Sequence, residues 1–150
     1  MGGHPAGPSG TGRPWRRRGL VLLIALAALS MYLYRIEAKS IWWDESLSLY
    51  RAQQDVPTIL SGQIVYGGVA STDQHPPLYF LVLHATTRLL GESDWALRFP
   101  SAVCAVLLVP LLYAVGTRLR NAQAGVIAAL IGAASPFVLW YAQEVRMYTL

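Results

Sequence analysis

Charge is what this sequence has least of. Only 13% of its 150 residues are charged, whereas 54% are apolar, too few charges to wet the surface of a soluble domain of this size. A phosphate-cradling glycine loop of the usual kind is missing, and with it a nucleotide-sugar site. Cysteine occurs once, as Cys104; it lies within an apolar run, reads as a small core residue, and allows no internal disulfide. The net charge of +4 comes from arginines at the ends of apolar runs, not from a basic face, which excludes a nucleic-acid surface. These absences leave one domain at most, an all-α integral membrane protein.

What is present is a series of apolar runs with basic ends. Residues 1–18 read as a basic cytoplasmic tail: MGGHPAGPSGTG, with His4 as a tail residue, cannot bury enough apolar surface to order itself, and RPWRRR comes next. The run Leu20 to Tyr34 is short for a span, but Trp15, Tyr32, Tyr34 and Arg35 extend it to the interfaces. A signal peptide shares this layout, with Ala38 and Ser40 as a weak cleavage site; in either case, the chain beyond Glu37 lies on the far side of the membrane. The stretch Pro77 to Leu90 carries His84 and Arg88, and its thirteen or so residues reach only about 20 Å as a helix. It is expected to lie along the outer interface. Phe99 to Val115 and Ala122 to Tyr141 are long enough to cross, and the linker TRLRNAQ between them holds Arg118 and Arg120 without an acid. Placing both basic segments in the cytoplasm gives three transmembrane helices, at about 19–36, 99–117 and 122–141, with an outer loop 37–98 carrying interface helices. All eight acids then face outward. The alternative of four spans puts Glu144 and Arg146 in the cytoplasm. Small residues in Ala122 to Ala134 suit close helix packing, and other membrane subunits are compatible partners.

The three-span layout joins four constellations on one outer surface. In IWWDESLSLYRAQ, Trp42 and Trp43 sit at headgroup depth and hold Asp44 and Glu45 near the membrane; adjacent acids on a helix point about 100° apart, so the two have different jobs. The plainer reading makes Asp44 the N-cap of a short helix through Gln53, with Glu45 in its first turn. In TDQHPPLYF the prolines force an extended entry and then a helix start, which fixes His75 at an elbow; the plain alternative is a turn capped by Asp73. In ALRFPSA, Arg98 precedes a spanning helix that Pro100 helps begin, and the two together suit a phosphate, or Arg98 is an ordinary snorkelling arginine. In WYAQEVRMY, Glu144 and Arg146 are two apart and should reach different partners.

Taken in order, WWDESLSLYRAQ, DQHPPLYFLVLH, ALRFPSA and SPFVLWYAQEVRMY resemble the amino-terminal part of the membrane glycosyltransferases that use polyprenyl-phosphate sugars. That superfamily includes the protein O-mannosyltransferases and the lipid A aminoarabinose transferases (glycosyltransferase family 39-like, GT-C-like). The resemblance covers Leu20 to Leu150. It implies Asp44 as the catalytic carboxylate with Glu45 its companion, and Arg98 and Arg146 toward the lipid phosphate, with His75 and Glu144 as further substrate-binding candidates. It also implies a polyprenyl-phosphate-linked sugar as donor, a protein, glycan or lipid hydroxyl as acceptor, inversion at the anomeric carbon, and the cell membrane as location. No cofactor and no metal are required by this scheme. Family members have many more spans, so two other readings stand beside an active enzyme: a truncated inactive fragment, and a non-enzymatic lipid-binding or assembly protein.

Overall fold

Most helix starts are written in the sequence as side-chain caps. The computed structural model describes residues 14–72 and 75–150; the tail 1–13 with His4, and Asp73 as a turn cap, lie outside the described residues. The first helix, α1, runs Pro14–Leu33, and Arg35 at φ 53° turns the chain away from it. Next come α2 (Trp43–Ala52) and α3 (Val56–Ser61), where the Asp55 carboxylate accepts from the Thr58 amide. A hairpin of β1 (Gln63–Tyr66) and β2 (Val69–Thr72) comes after them, then α4 (Leu78–Leu90). The long helix α5 is Asp94–Leu119, begun by Ser93, whose hydroxyl accepts from the Ala96 amide. Asn121 caps α6 (Ala122–Ala133) and Ser135 caps α7 (Pro136–Ala142) in the same way, and a 3-10 turn, Met147–Thr149, ends the chain. Each cap satisfies an otherwise orphaned amide at a helix start.

Three of these assignments add to or correct the sequence reading. The fold is mostly helical, as expected, with one hairpin added: β1 and β2 pair antiparallel, Tyr66 opposite Val69, across Gly67 and Gly68 at φ 59° and 81°, backbone angles that glycine adopts without strain. Arg98 does not precede the long helix. It lies inside α5, which starts four residues earlier at the Ser93 cap, so Pro100 is an internal proline, not a helix start. Asp44 is not the N-cap of α2, because the helix opens two residues sooner, with Trp42 in the capping position.

Two apolar cores divide the molecule. In the first, α1, α5 and α6 close on Val21, Ile24, Ala28, Tyr32, Ala102, Ala105, Val109, Ala129 and Ala133. The alanines permit near approach of the backbones, the packing that works where surrounding lipid removes the hydrophobic drive. Leu22, Leu23, Leu107, Leu111, Ile127 and Ile131 point outward from the same helices and are exposed, an apolar surface too extensive for water. By length and composition α5 is able to cross a membrane, and so are α6 and α7 together, bent by 54° at Ser135. Helix α1 is twenty residues long, but Arg16, Arg17 and Arg18 occupy its start, which leaves a short apolar remainder. The second core, Ala52, Ile59, Tyr79, Phe80, Leu83, Leu97 and Val145, joins α2, α3 and α4 to the start of α5. At thirteen residues α4 is short for a span, and it buries one face, Tyr79, Phe80 and Leu83.

The tightest contact is between α5 and α6. A Cβ on Gly125 would lie 2.3 Å from the Thr117 hydroxyl oxygen and 2.6 Å from the Tyr113 carbonyl oxygen, and a backbone atom cannot swing aside. Gly125→Val is therefore expected to part the two helices at a cost of about 1–3 kcal/mol or more, read as a lower unfolding temperature in detergent. An unchanged midpoint would show that this contact does not hold the pair.

Candidate functional site

The start of α2 sends its two acids in opposite directions. Glu45 turns inward and is 1% exposed. Its carboxylate accepts from Arg98 at both oxygens, Nε to Oε1 at 3.1 Å and Nη2 to Oε2 at 2.9 Å, and from the Val145 amide at 2.8 Å. The Trp42 amide adds a longer contact at 3.4 Å, one arm of a capping box. Arg98, also 1% exposed, donates its other Nη to the carbonyls of Ile36 and Lys39 at 2.7 and 2.9 Å. Four of its five N–H donors are therefore engaged within the protein. This pair ties the exit of α1, the start of α2, α5 and the segment after α7 into one knot. Where the sequence suggested a phosphate seat at Arg98, the structure pairs that arginine with Glu45.

Asp44 faces the other way. Its side chain is 36% exposed, and its carboxylate lies 3.4 Å from Nη2 of Arg146. The same arginine donates to the Asp44 carbonyl at 3.4 Å and to the Tyr148 hydroxyl at 3.3 Å. Its Nε is buried with no acceptor among the described residues, an unmet donor on a cation. A relay steadies it from behind: Tyr79 and Ser101 share a hydrogen bond of 2.9 Å, and Ser101 donates to the Arg146 carbonyl at 3.3 Å. Asp44, Arg146 and His75 line one cavity of about 300 Å³ with Ser48, Ser71 and Thr72. His75 is exposed there, and its carbonyl accepts from Arg51 at 3.4 Å.

Glu144 goes elsewhere, as its offset from Arg146 implied. It lines a larger cavity, about 470 Å³, with Lys39, Trp140, Tyr148, Glu45 and Arg98. Burial raises the pKa of its carboxyl above the usual range; a hydrogen bond from Trp140 opposes the shift, the nearby Glu45 charge adds to it, and the Lys39 and Arg146 charges oppose it. A carboxyl with a raised pKa contributes stability at low pH that is lost as pH climbs from the unfolded pKa toward the folded one. The melting temperature should fall on this limb above about pH 4.5, and Glu144→Gln should flatten it. An identical pH slope in the variant would remove Glu144 as the cause.

Sequence reading overlooked three residues placed here. Lys39 lay beyond the four constellations, Tyr148 within the last of them, and Arg51 is buried with its guanidinium 3.9 Å from the Phe80 ring centroid. Buried Arg51 had no legible signal. The hairpin that brings Ser71 and Thr72 to Asp44 did have one, Gly67-Gly68 flanked by Ile64-Val65-Tyr66 and Val69.

Residues 74–147 match the family model described as dolichyl-phosphate-mannose-protein mannosyltransferase. Over this segment the chain is similar to a family of membrane glycosyltransferases. The match takes in His75, Arg98, Glu144 and Arg146 and begins after Asp44 and Glu45, so the acids come to it through the fold: Glu45 through Arg98, Asp44 through Arg146. None of the curated proteins and none of the solved structures compared matches the chain.

Proposed function

We propose that this glycosyltransferase moves a sugar from a polyprenyl-phosphate donor to an acceptor hydroxyl at the extracytoplasmic membrane surface, with Asp44 as general base. The observation that carries the reading is the Asp44–Arg146 pair: a carboxylate released from capping and open to a cavity, beside a guanidinium with an unmet donor. An acceptor O–H entering the cavity gives its proton to Asp44 as its oxygen bonds to the anomeric carbon. The bond from that carbon to the phosphate oxygen breaks, the electron pair leaves with the phosphate, and Arg146 stabilises the charge gathering there. Direct displacement inverts the anomeric centre, through a transition state with oxocarbenium character. Glu45 and Arg98 position the acid without touching substrate, and His75 borders the acceptor side.

The topology that serves this chemistry is three spans, α1, α5 and the bent pair α6–α7, with the amino terminus cytoplasmic and α2 to α4 on the outer face. Trp42 and Trp43 are half or more exposed, as interface anchors are. The family name supports a lipid-linked donor and a protein acceptor. The test is transfer from a labelled polyprenyl-phosphate hexose to a hydroxyl-bearing peptide by membranes carrying the chain, with the product anomer assigned by NMR. Inverted product supports the reading. Retained configuration contradicts direct displacement, and transfer only from a nucleotide sugar contradicts the donor class.

A further inference from the structure

The far end of α5, about 30 Å along the helix from Arg98, carries charge of one sign. No acid stands between Asp94 and Glu144, whereas the turn from α5 to α6 holds Arg118 and Arg120, both exposed. Neither forms an ion pair among the described residues. Arg118 lies in the last turn of α5, where the helix carbonyls favour a cation. Arg120 follows the helix at φ −140° and ψ −71°, and there it becomes one wall of a groove.

That groove has a volume of about 410 Å³ and is lined by Arg120, Asn121, Gln123, Ala124, Ile127 and Ile131. Its polar residues gather at the turn. The Asn121 side-chain oxygen accepts from the Ala124 amide, which leaves its NH2 as a donor in the same groove as the guanidinium, and Gln123 is exposed there too. Beyond them Ile127 and Ile131, 57% and 67% exposed, stand one turn apart on one face and carry an apolar wall about 12 Å from Gln123. The face of α6 that packs on the core is the other one, Gly125, Ala129 and Ala133. The groove therefore opens away from the protein, along a helix that forms half of a span-length apolar pair.

A guanidinium flanked by amide donors, with no carboxylate among the residues that line the groove, takes an anion. The isoleucine wall running on from it takes hydrocarbon. The lack of acids also selects among headgroups, because the ammonium of a zwitterionic head would face Arg118 and Arg120 with no partner of its own. We propose that this groove binds a net-anionic glycerophospholipid, its phosphate on Arg120 and an acyl chain along Ile127 and Ile131. The lipid pins the α5–α6 turn to the membrane surface. The site takes no part in sugar transfer, and it draws from the proposed topology only the leaflet it faces, the cytoplasmic one.

Native mass spectrometry of the full chain in detergent, titrated with phosphatidylglycerol or phosphatidylcholine, measures this. The parent should retain phosphatidylglycerol and release phosphatidylcholine, and only the first should raise its unfolding midpoint. Loss of one charge-assisted hydrogen bond predicts that Arg120→Gln weakens phosphatidylglycerol binding by about tenfold and that Arg120→Lys restores part of it. Both variants should melt as the parent does in detergent without lipid, since the side chain is exposed. Arg118→Gln removes the same charge from the same turn but from outside the groove wall, and should weaken binding far less. Equal losses at 118 and 120 would mean diffuse attraction to a basic turn and overturn the groove. Equal retention of the two lipids overturns the anionic headgroup. With Cys104 replaced, Ile127→Cys that crosslinks to a second copy, with no lipid retained, gives the groove to a protein neighbour and overturns the lipid as its occupant.

Discussion

Arg98→Ala should cost about 3–5 kcal/mol and with it most of the folded protein. The substitution leaves the Glu45 carboxylate buried with only the Val145 and Trp42 amides against it, and it strips the Ile36 and Lys39 carbonyls of their donor. An uncompensated buried charge is the expensive half of a broken ion pair. Arg98→Lys should recover little, because an ammonium cannot reach two carboxylate oxygens and two carbonyls with a planar fork. Replacing both partners, Glu45→Gln with Arg98→Met, should be less damaging than Arg98→Ala alone, since no charge is then stranded. Thermal unfolding with size-exclusion of detergent-solubilised protein measures this. A folded, normally melting Arg98→Ala would return that arginine to the role of a free cation.

Asp44→Asn has the opposite profile. Its carboxylate is a third exposed and contacts one partly exposed arginine at 3.4 Å, a pair whose worth to stability is at most about 1 kcal/mol. The variant should therefore fold as the parent does. Loss of a general base is expected to slow transfer by about 10²–10⁴-fold, because an amide takes no proton from the acceptor hydroxyl. Neighbouring Glu45→Gln should lower folded yield instead, so the two adjacent acids separate in one experiment: rate per folded molecule falls at 44, folded molecules fall at 45. Transfer by Asp44→Asn near the parent rate would end its assignment as base.

The division between these acids was visible in the sequence as geometry, since side chains about 100° apart on a helix cannot serve one ligand. Which acid goes inward was not visible. That choice depends on α5 starting at Ser93, which carries Arg98 a full turn into the helix and aims it at α2. ALRFPSA drew attention to Pro100 as a helix start, whereas the stronger signal was the Ser-Asp step before it, a capping hydroxyl with an acid in the first turn. Proline within α5, at 100 and 110, is tolerable where neighbouring helices support the interrupted ladder.

The long apolar helices were legible because their signal is composition along a line: long apolar runs, basic ends and the Ser135-Pro136 break. The site was legible only in part. Asp44, His75 and Arg146 were named from their motifs and do share a cavity. Glu144 shares the other one, and the lysine beside it carries no motif, since its placement arises from Trp140 lying about a hundred residues away in sequence.

All of this requires that the two cavities open on one side of a bilayer, opposite the α5–α6 turn. With Cys104 replaced, single cysteines at Ser46, Gln123 and Gln143 are treated with a membrane-impermeant thiol reagent in intact cells and in inverted vesicles. The account predicts labelling of 46 and 143 from outside and of 123 only from the cytoplasmic side. Labelling of 143 from the cytoplasm would contradict it, because Arg146 would then lie across the membrane from Asp44 and no shared site could form.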